Sequence, residues 1–188
     1  MSPADRPFLQ TSLDPPTAAG LLAAAASGST EALATLYREH IADVYRVAAR
    51  LTGSVSDAED IAHDVFLGLP FALRRYEEQG RFGKWLSRIT VRVTLNHLRS
   101  KGRRAEIDVD AIADLTDPGD ARREAQRQLV EALGTLSPML REVFVLHELE
   151  GYSHQEIAGL LEISVSASTM RLFRAWHHLR AHASHSTR

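Results

Sequence analysis

Apolar residues recur at helical spacing along most of the chain, and the longest internal interruption of this pattern covers residues 101–121. Residues 30–52 before it carry apolar side chains at intervals of three and four positions, which is typical of one buried face of an α-helix, and Gly53 is predicted to end this helix. The interrupted stretch ends in Pro118 and Gly119, a pair that favours a loop. The sequence therefore predicts an all-α protein with two small helical domains joined by a flexible linker.

The predicted domain boundaries follow from this pattern. Residues 1–16 are rich in proline, serine and aspartate, which favours a disordered arm. The other predicted parts are a first helical domain at 17–100, an acidic linker at 101–122, a second helical domain at 123–182 and a frayed tail at 183–188.

Several classes of function are disfavoured by composition. The chain of 188 residues has no cysteine, which excludes disulfides and cysteine-based zinc sites and fits a cytoplasmic protein. The longest apolar run, residues 21–26, is too short to cross a bilayer, so no membrane insertion is expected. His178 and His182 have metal-ligand spacing but no acidic residue nearby. Since no nucleophile or phosphate-loop motif occurs either, we expect no enzyme activity, no metal and no cofactor.

The stretch DAEDIAHDVFL, residues 57–67, combines a buried stripe with carboxylates. Its apolar residues fall at positions 58, 61, 62 and 65, while Asp57, Asp60 and Asp64 line an adjacent face. Ser56 is predicted to cap this helix, and Pro70 to kink or break it. Like charges at this spacing destabilise a helix. The helix dipole accounts for acids in the first turn but not for Asp64.

Charge is segregated in the middle of a chain whose net charge is only −2. Residues 71–104 contain ten basic residues against two acidic ones, whereas residues 105–124 contain seven acidic residues against two basic ones. Such segregation favours different partners for different surfaces.

A helix-turn-helix pattern occupies YSHQEIAGLLEISVSASTMRLFRAW, residues 152–176. Ser153 is predicted to cap the first helix through a capping box, and Ser164 to cap the second. Val165 and Leu172 are predicted to return to the core. The second helix of such a motif enters the major groove of DNA. Its predicted outward residues are Ser166, Ser168, Thr169, Arg171 and Arg174.

These blocks, together with GRFGKWLSRI and NHLR between them, resemble the extracytoplasmic-function group of the RNA polymerase sigma-70 family. The resemblance covers roughly residues 30–180. It implies a sigma region 2 bundle that binds core RNA polymerase and melts and reads the −10 element, and a region 4 helix-turn-helix that reads the −35 element. The implied partners are promoter DNA, the β′ clamp helices and β flap of core polymerase, and an anti-sigma protein.

The resemblance also assigns roles to individual residues. The implied polymerase-binding residues are Asp57, Asp60, His63 and Asp64. The implied −10 contacts are Arg81, Phe82, Lys84, Arg88, Arg92, Asn96 and Arg99. The implied −35 contacts are Ser164, Ser166, Ser168, Thr169, Arg171, Phe173 and Arg174.

The chain departs from the family pattern in its recognition helix. Thr169 stands where a lysine or arginine is usual, and Met170 takes a position that is usually small. A consensus promoter therefore does not transfer to this protein. The alternative function is a stand-alone helix-turn-helix regulator with an N-terminal sensor or dimerisation domain. A dimeric regulator expects symmetric half-sites, whereas a sigma factor expects two unlike elements.

Overall fold

The computed structural model describes residues 18–77, 81–101, 128–129 and 131–186, and this part of the chain is helical without strands. The N-terminal domain contains α1 (Ala18–Ala26), α2 (Thr30–Thr52), α3 (Val55–Leu73) and α4 (Phe82–Lys101). The C-terminal domain contains helical residues 131–134, α5 (Pro138–Phe144) with a π-helical turn (Val145–Leu149), α6 (His154–Leu161) and α7 (Val165–Ser186). The predicted arm and nearly all of the predicted linker lie outside the described residues. The helix α7 extends into the segment predicted as a frayed tail.

The N-terminal domain is built around the long helix α2, which packs against α3 and α4. Gly53 adopts φ +68° and donates its N–H to Ala49 O, so it ends α2 as the sequence predicted. The buried core comes from all four helices, and its large members include Leu22, Leu36, Val44, Ile61, Val65, Leu69 and Leu86.

The start of α3 differs from the prediction. The N-cap is Ser54, whose hydroxyl accepts from the Asp57 N–H at 3.3 Å, and the predicted cap at Ser56 is wrong. Thr52 decides the start of the helix, because its hydroxyl accepts from the Ser54 N–H at 3.1 Å and holds the connecting turn. The helix therefore begins one residue before the predicted cap.

Of the two outcomes predicted for Pro70, a kink or a break, the break is absent, since α3 continues through it to Leu73. Proline in a helix interior costs roughly 3 kcal/mol. Leu69 and Leu73 on either side are buried at 1% and 5% exposure, and burying a leucine stabilises by about 1.5–3 kcal/mol. The free energy gained by burying these two leucines therefore exceeds the cost of the proline in the helix.

The two domains share a hydrophobic cluster. Val47, Leu51, Val91 and Leu95 of the N-terminal domain are buried in it. Its C-terminal members include Leu133, Leu136, Val143, Phe144, Leu146, Ile157 and Leu172. The domains are therefore packed against each other rather than separate in this structure, a contact that helical periodicity does not predict.

Candidate polymerase and nucleic-acid interfaces

The acidic face consists of Asp60, His63 and Asp64, three exposed side chains on one side of α3. An open groove of about 440 Å³ runs beside it between α2 and α3. Its lining is mainly apolar and includes Leu33, Tyr37, Phe66 and Leu67, with His63 common to the groove and the acidic face. Carboxylates next to exposed apolar side chains suit a protein partner that presents both basic and apolar groups.

Asp57 does not belong to the acidic face, although the sequence assigned it to the polymerase-binding set. It is buried at 5% exposure, and its Oδ1 lies 3.4 Å from Nε2 of His97 in α4. The helix α4 passes over the first turn of α3 and removes this carboxylate from the surface. A carboxylate buried beside an imidazole belongs to the contact between α3 and α4 and is not available to a partner in this conformation.

The basic face consists of Arg81, immediately before α4, and of Lys84, Arg88, Arg92 and Arg99 on the helix, all of them exposed. These are the basic members of the predicted −10 set. The exposed amide of Asn96 accepts a hydrogen bond from Arg99 at 3.2 Å. This arrangement suits contacts with a phosphate backbone.

A second open groove, of about 310 Å³, lies at the N-terminal end of α4. Arg75, Arg81, Lys84, Arg88 and two aromatic side chains, Tyr76 and Trp85, contribute to its lining. A positively charged groove with aromatic walls is the chemistry that holds unstacked bases of single-stranded nucleic acid.

Phe82 is half-buried next to this groove. Its ring packs against Tyr76 and Trp85 at centroid distances of 5.7 and 5.6 Å, and against His40 at 5.0 Å. The sequence favoured core packing for Trp85 and left Phe82 between core packing and base stacking. In this conformation both rings pack on the core of the N-terminal domain.

The C-terminal domain covers part of the basic face. Glu150 accepts a hydrogen bond from the Ser87 hydroxyl at 2.7 Å. Arg88 lies 3.9 Å from Glu156, and Arg99 lies 3.5 Å from Glu162. Two of the predicted −10 arginines therefore have acidic partners within the same chain.

Two side chains at the contact between the two domains, Tyr152 and Glu156, have shifted pKa values. Burial raises the pKa of Tyr152, against the opposing effect of the nearby guanidinium of Arg88. Hydrogen bonds from the Ser153 backbone and hydroxyl lower the pKa of Glu156, and Arg88 lowers it further. The carboxylate opposite Arg88 is therefore held in its charged form.

The helix-turn-helix is formed by α6 and α7 and closely follows the predicted capping. Ser153 and Glu156 form the capping box, and Ser164 accepts from the Ala167 N–H at 3.1 Å. Ile157 and Leu172 are buried between the helices. Of the predicted −35 residues, Ser164, Ser166, Thr169, Phe173 and Arg174 are exposed, and Arg171 is half-buried.

Two expectations for α7 are wrong. Ser168 was expected to point outward, but it is fully buried, and its hydroxyl lies 2.9 Å from Nδ1 of His154 in α6. Val165 was expected in the core, but it is 48% exposed. Met170, which the sequence did not assign to the predicted DNA-contacting set, is 52% exposed. The positions of Leu172 and Ala175, which are buried on the opposite side, would have identified it.

A metal centre and a membrane span are both absent from the described part of the chain. No three acidic or histidine residues there are grouped so as to hold a metal ion. No helix within residues 18–77, 81–101 and 131–186 is long and apolar enough to cross a membrane.

Two packed helical domains, one with a helix-turn-helix and the other with a basic helix and an acidic face, are the features of a protein that binds DNA and a protein partner. Comparison with family models identifies the two halves separately. Residues 36–104 match sigma-70 region 2, and residues 126–179 match sigma-70 region 4.

Individual relatives are also sigma factors. The chain is 33% identical over 156 residues to the RNA polymerase sigma factor CarQ of Myxococcus xanthus, covering 81% of this chain and 90% of CarQ. It is 34% identical over 160 residues to the ECF RNA polymerase sigma factor SigE of Mycolicibacterium smegmatis, covering 81% of this chain and 62% of that relative. The solved structure of CnrH, in complex with the cytosolic domain of CnrY, superposes with a TM-score of 0.51 at 29% identity, covering 87% of this chain and 95% of CnrH.

The chain belongs to the extracytoplasmic-function group of RNA polymerase sigma factors, and its function is in transcription initiation with RNA polymerase and promoter DNA as partners. A stand-alone regulator would leave the region 2 match of residues 36–104 without a role.

Proposed function

We propose that this sigma factor docks on the β′ clamp helices of core polymerase through the acidic face of α3 and the apolar groove beside it. The observation that carries the proposal is that Asp60 and Asp64 are exposed next to Leu67, which is itself 61% exposed. Binding of a basic partner relieves the repulsion between neighbouring carboxylates, and burial of the groove adds apolar contact. Asp57 is excluded from this docking surface by its burial.

The test is a pull-down of bacterial core RNA polymerase with the wild-type chain and the Asp60→Arg/Asp64→Arg variant. We expect the wild type to be retained and the variant to be lost, because each reversal replaces an attraction with a repulsion. Glu131→Arg is a control for charge reversal as such, with half the change in net charge, since Glu131 is an exposed acid on the other domain. Equal retention of all three proteins would contradict docking through the acidic face.

We further propose that α4 captures the melted −10 strand. Arg81, Lys84 and Arg88 surround the groove with aromatic walls, and Arg92 and Arg99 extend the positive surface along the helix. Phosphate contacts hold the strand while the groove accepts an unstacked base. The binding energy offsets part of the cost of strand separation. Because phosphate contacts release counterions, the holoenzyme–promoter complex should weaken steeply as salt increases.

The helix α7 is proposed to read the −35 element in duplex DNA. Its N-terminal end carries Ser164 and Ser166, whose hydroxyls lie 3.0 Å apart at the exposed tip of the helix. Thr169 and Arg174 are exposed further along. Hydroxyl groups near the start of a recognition helix and an arginine beyond them suit combined base and phosphate contacts.

The remaining partner assignments are part of the same proposal. The β flap of core polymerase is proposed to contact the C-terminal domain, and an anti-sigma protein to hold the chain inactive. Support for the second comes from CnrH, which was solved in complex with the cytosolic domain of CnrY. The chain itself is proposed to have no catalytic role and to act in the cytoplasm, where core polymerase supplies the polymerisation chemistry.

A further inference from the structure

The outer stripe of α7 consists of Ser166, Met170, Phe173 and His177, all exposed. These positions are separated by four, three and four residues, so they form one line along the helix. Met170 and Phe173 in its centre are 52% and 66% exposed. Ser168 and Leu172, which are buried, lie on the opposite side of the helix. The line that faces directly away from the protein core is therefore apolar in its middle.

This placement differs from the ordinary scatter of single apolar residues on a protein surface. Met170 and Phe173 lie on the face that a helix-turn-helix presents to the floor of the major groove. Polar groups on the outer stripe itself are confined to Ser166 near one end and His177 at the other. The centre of the stripe therefore offers no hydrogen bond to a base edge.

Charge on the same helix indicates that the occupant of this face is DNA. Residues 165–182 contain Arg171, Arg174 and Arg180 and no aspartate or glutamate. Arg174 is exposed one residue beyond Phe173. A helix with only basic charges complements the phosphates on either side of the major groove. Within that groove the apolar group on base edges is the C5 methyl of thymine.

We propose that Met170 and Phe173 set base preference in the −35 element by packing against thymine C5 methyl groups. This inference rests on the proposed −35 role of α7 and goes beyond it by naming the base feature that is read. Met170 stands where a small residue is usual. A contact from its longer side chain with the base edges therefore gives this chain its own base preference in the −35 element. The contact discriminates thymine from cytosine and from uracil by shape and desolvation rather than by hydrogen bonds.

The first experiment measures base preference with the complete holoenzyme. Full-length chain and bacterial core RNA polymerase transcribe a promoter library randomised over the −35 element, and the transcripts are sequenced. We expect Met170→Ala and Phe173→Ala to lose preference for thymine at one or two positions. Met139→Ala is the matched control, because Met139 is 43% exposed but lies in α5, away from the recognition helix. An unchanged preference in both recognition-helix variants overturns the proposal.

The second experiment removes the methyl group from the DNA instead. Replacing thymidine with deoxyuridine at the preferred positions deletes only the C5 methyl. We expect wild-type holoenzyme to bind about fourfold more weakly per methyl, since burying one such group contributes about 0.8 kcal/mol and 1.4 kcal/mol is tenfold. Met170→Ala should show a smaller loss at its own position. Equal binding of thymidine and deoxyuridine promoters by the wild type overturns the proposal without any protein variant.

The two proposals fail in different ways. If α7 does not read the −35 element, wild-type transcription will be insensitive to the whole randomised element. If only the methyl contact is wrong, the wild type will still select a −35 sequence, while deoxyuridine and the two alanine variants leave that selection unchanged.

Discussion

The guanidinium of Arg99 in α4 donates a hydrogen bond to the backbone oxygen of Leu160 and lies 3.5 Å from the carboxylate of Glu162. Both partners are at the C-terminal end of α6, where the helix dipole adds partial negative charge. Arg99 is also a proposed −10 contact. A residue proposed to bind DNA is therefore bound by the second domain of its own chain, and this contact must open before Arg99 reaches a phosphate.

Removing the charge of Glu162 is expected to favour that opening. In Glu162→Gln, Arg99 loses its ion pair, and the free chain should bind a single-stranded oligonucleotide about 1.4- to 5-fold more tightly. This range corresponds to the roughly 0.2–1 kcal/mol typical of exposed ion pairs. Fluorescence anisotropy at low salt measures the affinity.

The control for this experiment is Glu131→Gln, which makes the same change in net charge at an exposed site of the same domain. It separates release of Arg99 from a general reduction in repulsion of DNA. Equal gains in both variants would mean that the contact between Arg99 and α6 does not compete with DNA.

Asp57 and Asp60 are three residues apart and are expected to respond oppositely to substitution. Asp57→Ala should lower the free energy of unfolding by about 1–3 kcal/mol, because it leaves the His97 imidazole without its buried partner. Asp60→Ala, at an exposed site, should stay within about 0.5 kcal/mol of the wild type. Urea unfolding followed by circular dichroism measures both. Similar losses for the two variants would contradict the different environments of these carboxylates.

Helical periodicity predicted the helices of both domains well, because the signal for each lies within its own segment. Gly53, Ser153 and Ser164 cap their helices as predicted, since a cap depends on residues only three or four positions away. The start of α3 was not predicted correctly. The hydrogen bond from the Ser54 N–H to the Thr52 hydroxyl holds the turn so that Ser54, rather than Ser56, is the N-cap.

Contacts between segments distant in sequence were not predictable in the same way. Serine is a residue type usually found at the protein surface. The burial of Ser168 is explained by the approach of His154 from α6. Asp57 is buried for a similar reason, through His97 of α4. The packing of Leu51 and Leu95 against the C-terminal domain leaves no periodic signature, because each side chain also fits the core of its own domain. Residue type was therefore sufficient to nominate the candidate site, whereas the exposure of each side chain depended on contacts between distant segments.

The capping box of α6 should stabilise the helix-turn-helix measurably. Ser153→Ala removes the hydroxyl that accepts from the Glu156 N–H, which typically costs about 1 kcal/mol. Hydrogen exchange of the α6 amides reports on this loss locally. Ser137→Ala is the comparison, since Ser137 precedes α5 without a side-chain capping bond. We expect little change there, and equal effects of the two substitutions would contradict the role of the box.

Glu156 gives the same motif a pH dependence. Its folded-state pKa is lowered, chiefly by the hydrogen bond from the Ser153 backbone, so the carboxylate stabilises the folded state above its unfolded pKa of about 4.5. That contribution should be lost as the pH falls below 4.5 toward the lower folded-state value. Glu156→Gln should show a shallower decline of stability in this acid range. A parallel decline in the variant and the wild type, measured by urea unfolding across pH, would exclude this contribution.

Pro70 should be a site at which the protein can be stabilised. The helix α3 runs through it, so Pro70→Ala restores an N–H that can donate to Phe66 O and removes the steric conflict of the ring. Part of the gain is offset by the greater freedom of alanine in the unfolded chain. We expect a net increase of about 1 kcal/mol or more, which raises the melting temperature by roughly 2–4 °C for a chain of this size. An unchanged or lower melting temperature in differential scanning calorimetry would show that the proline is better accommodated than its continuous helix indicates.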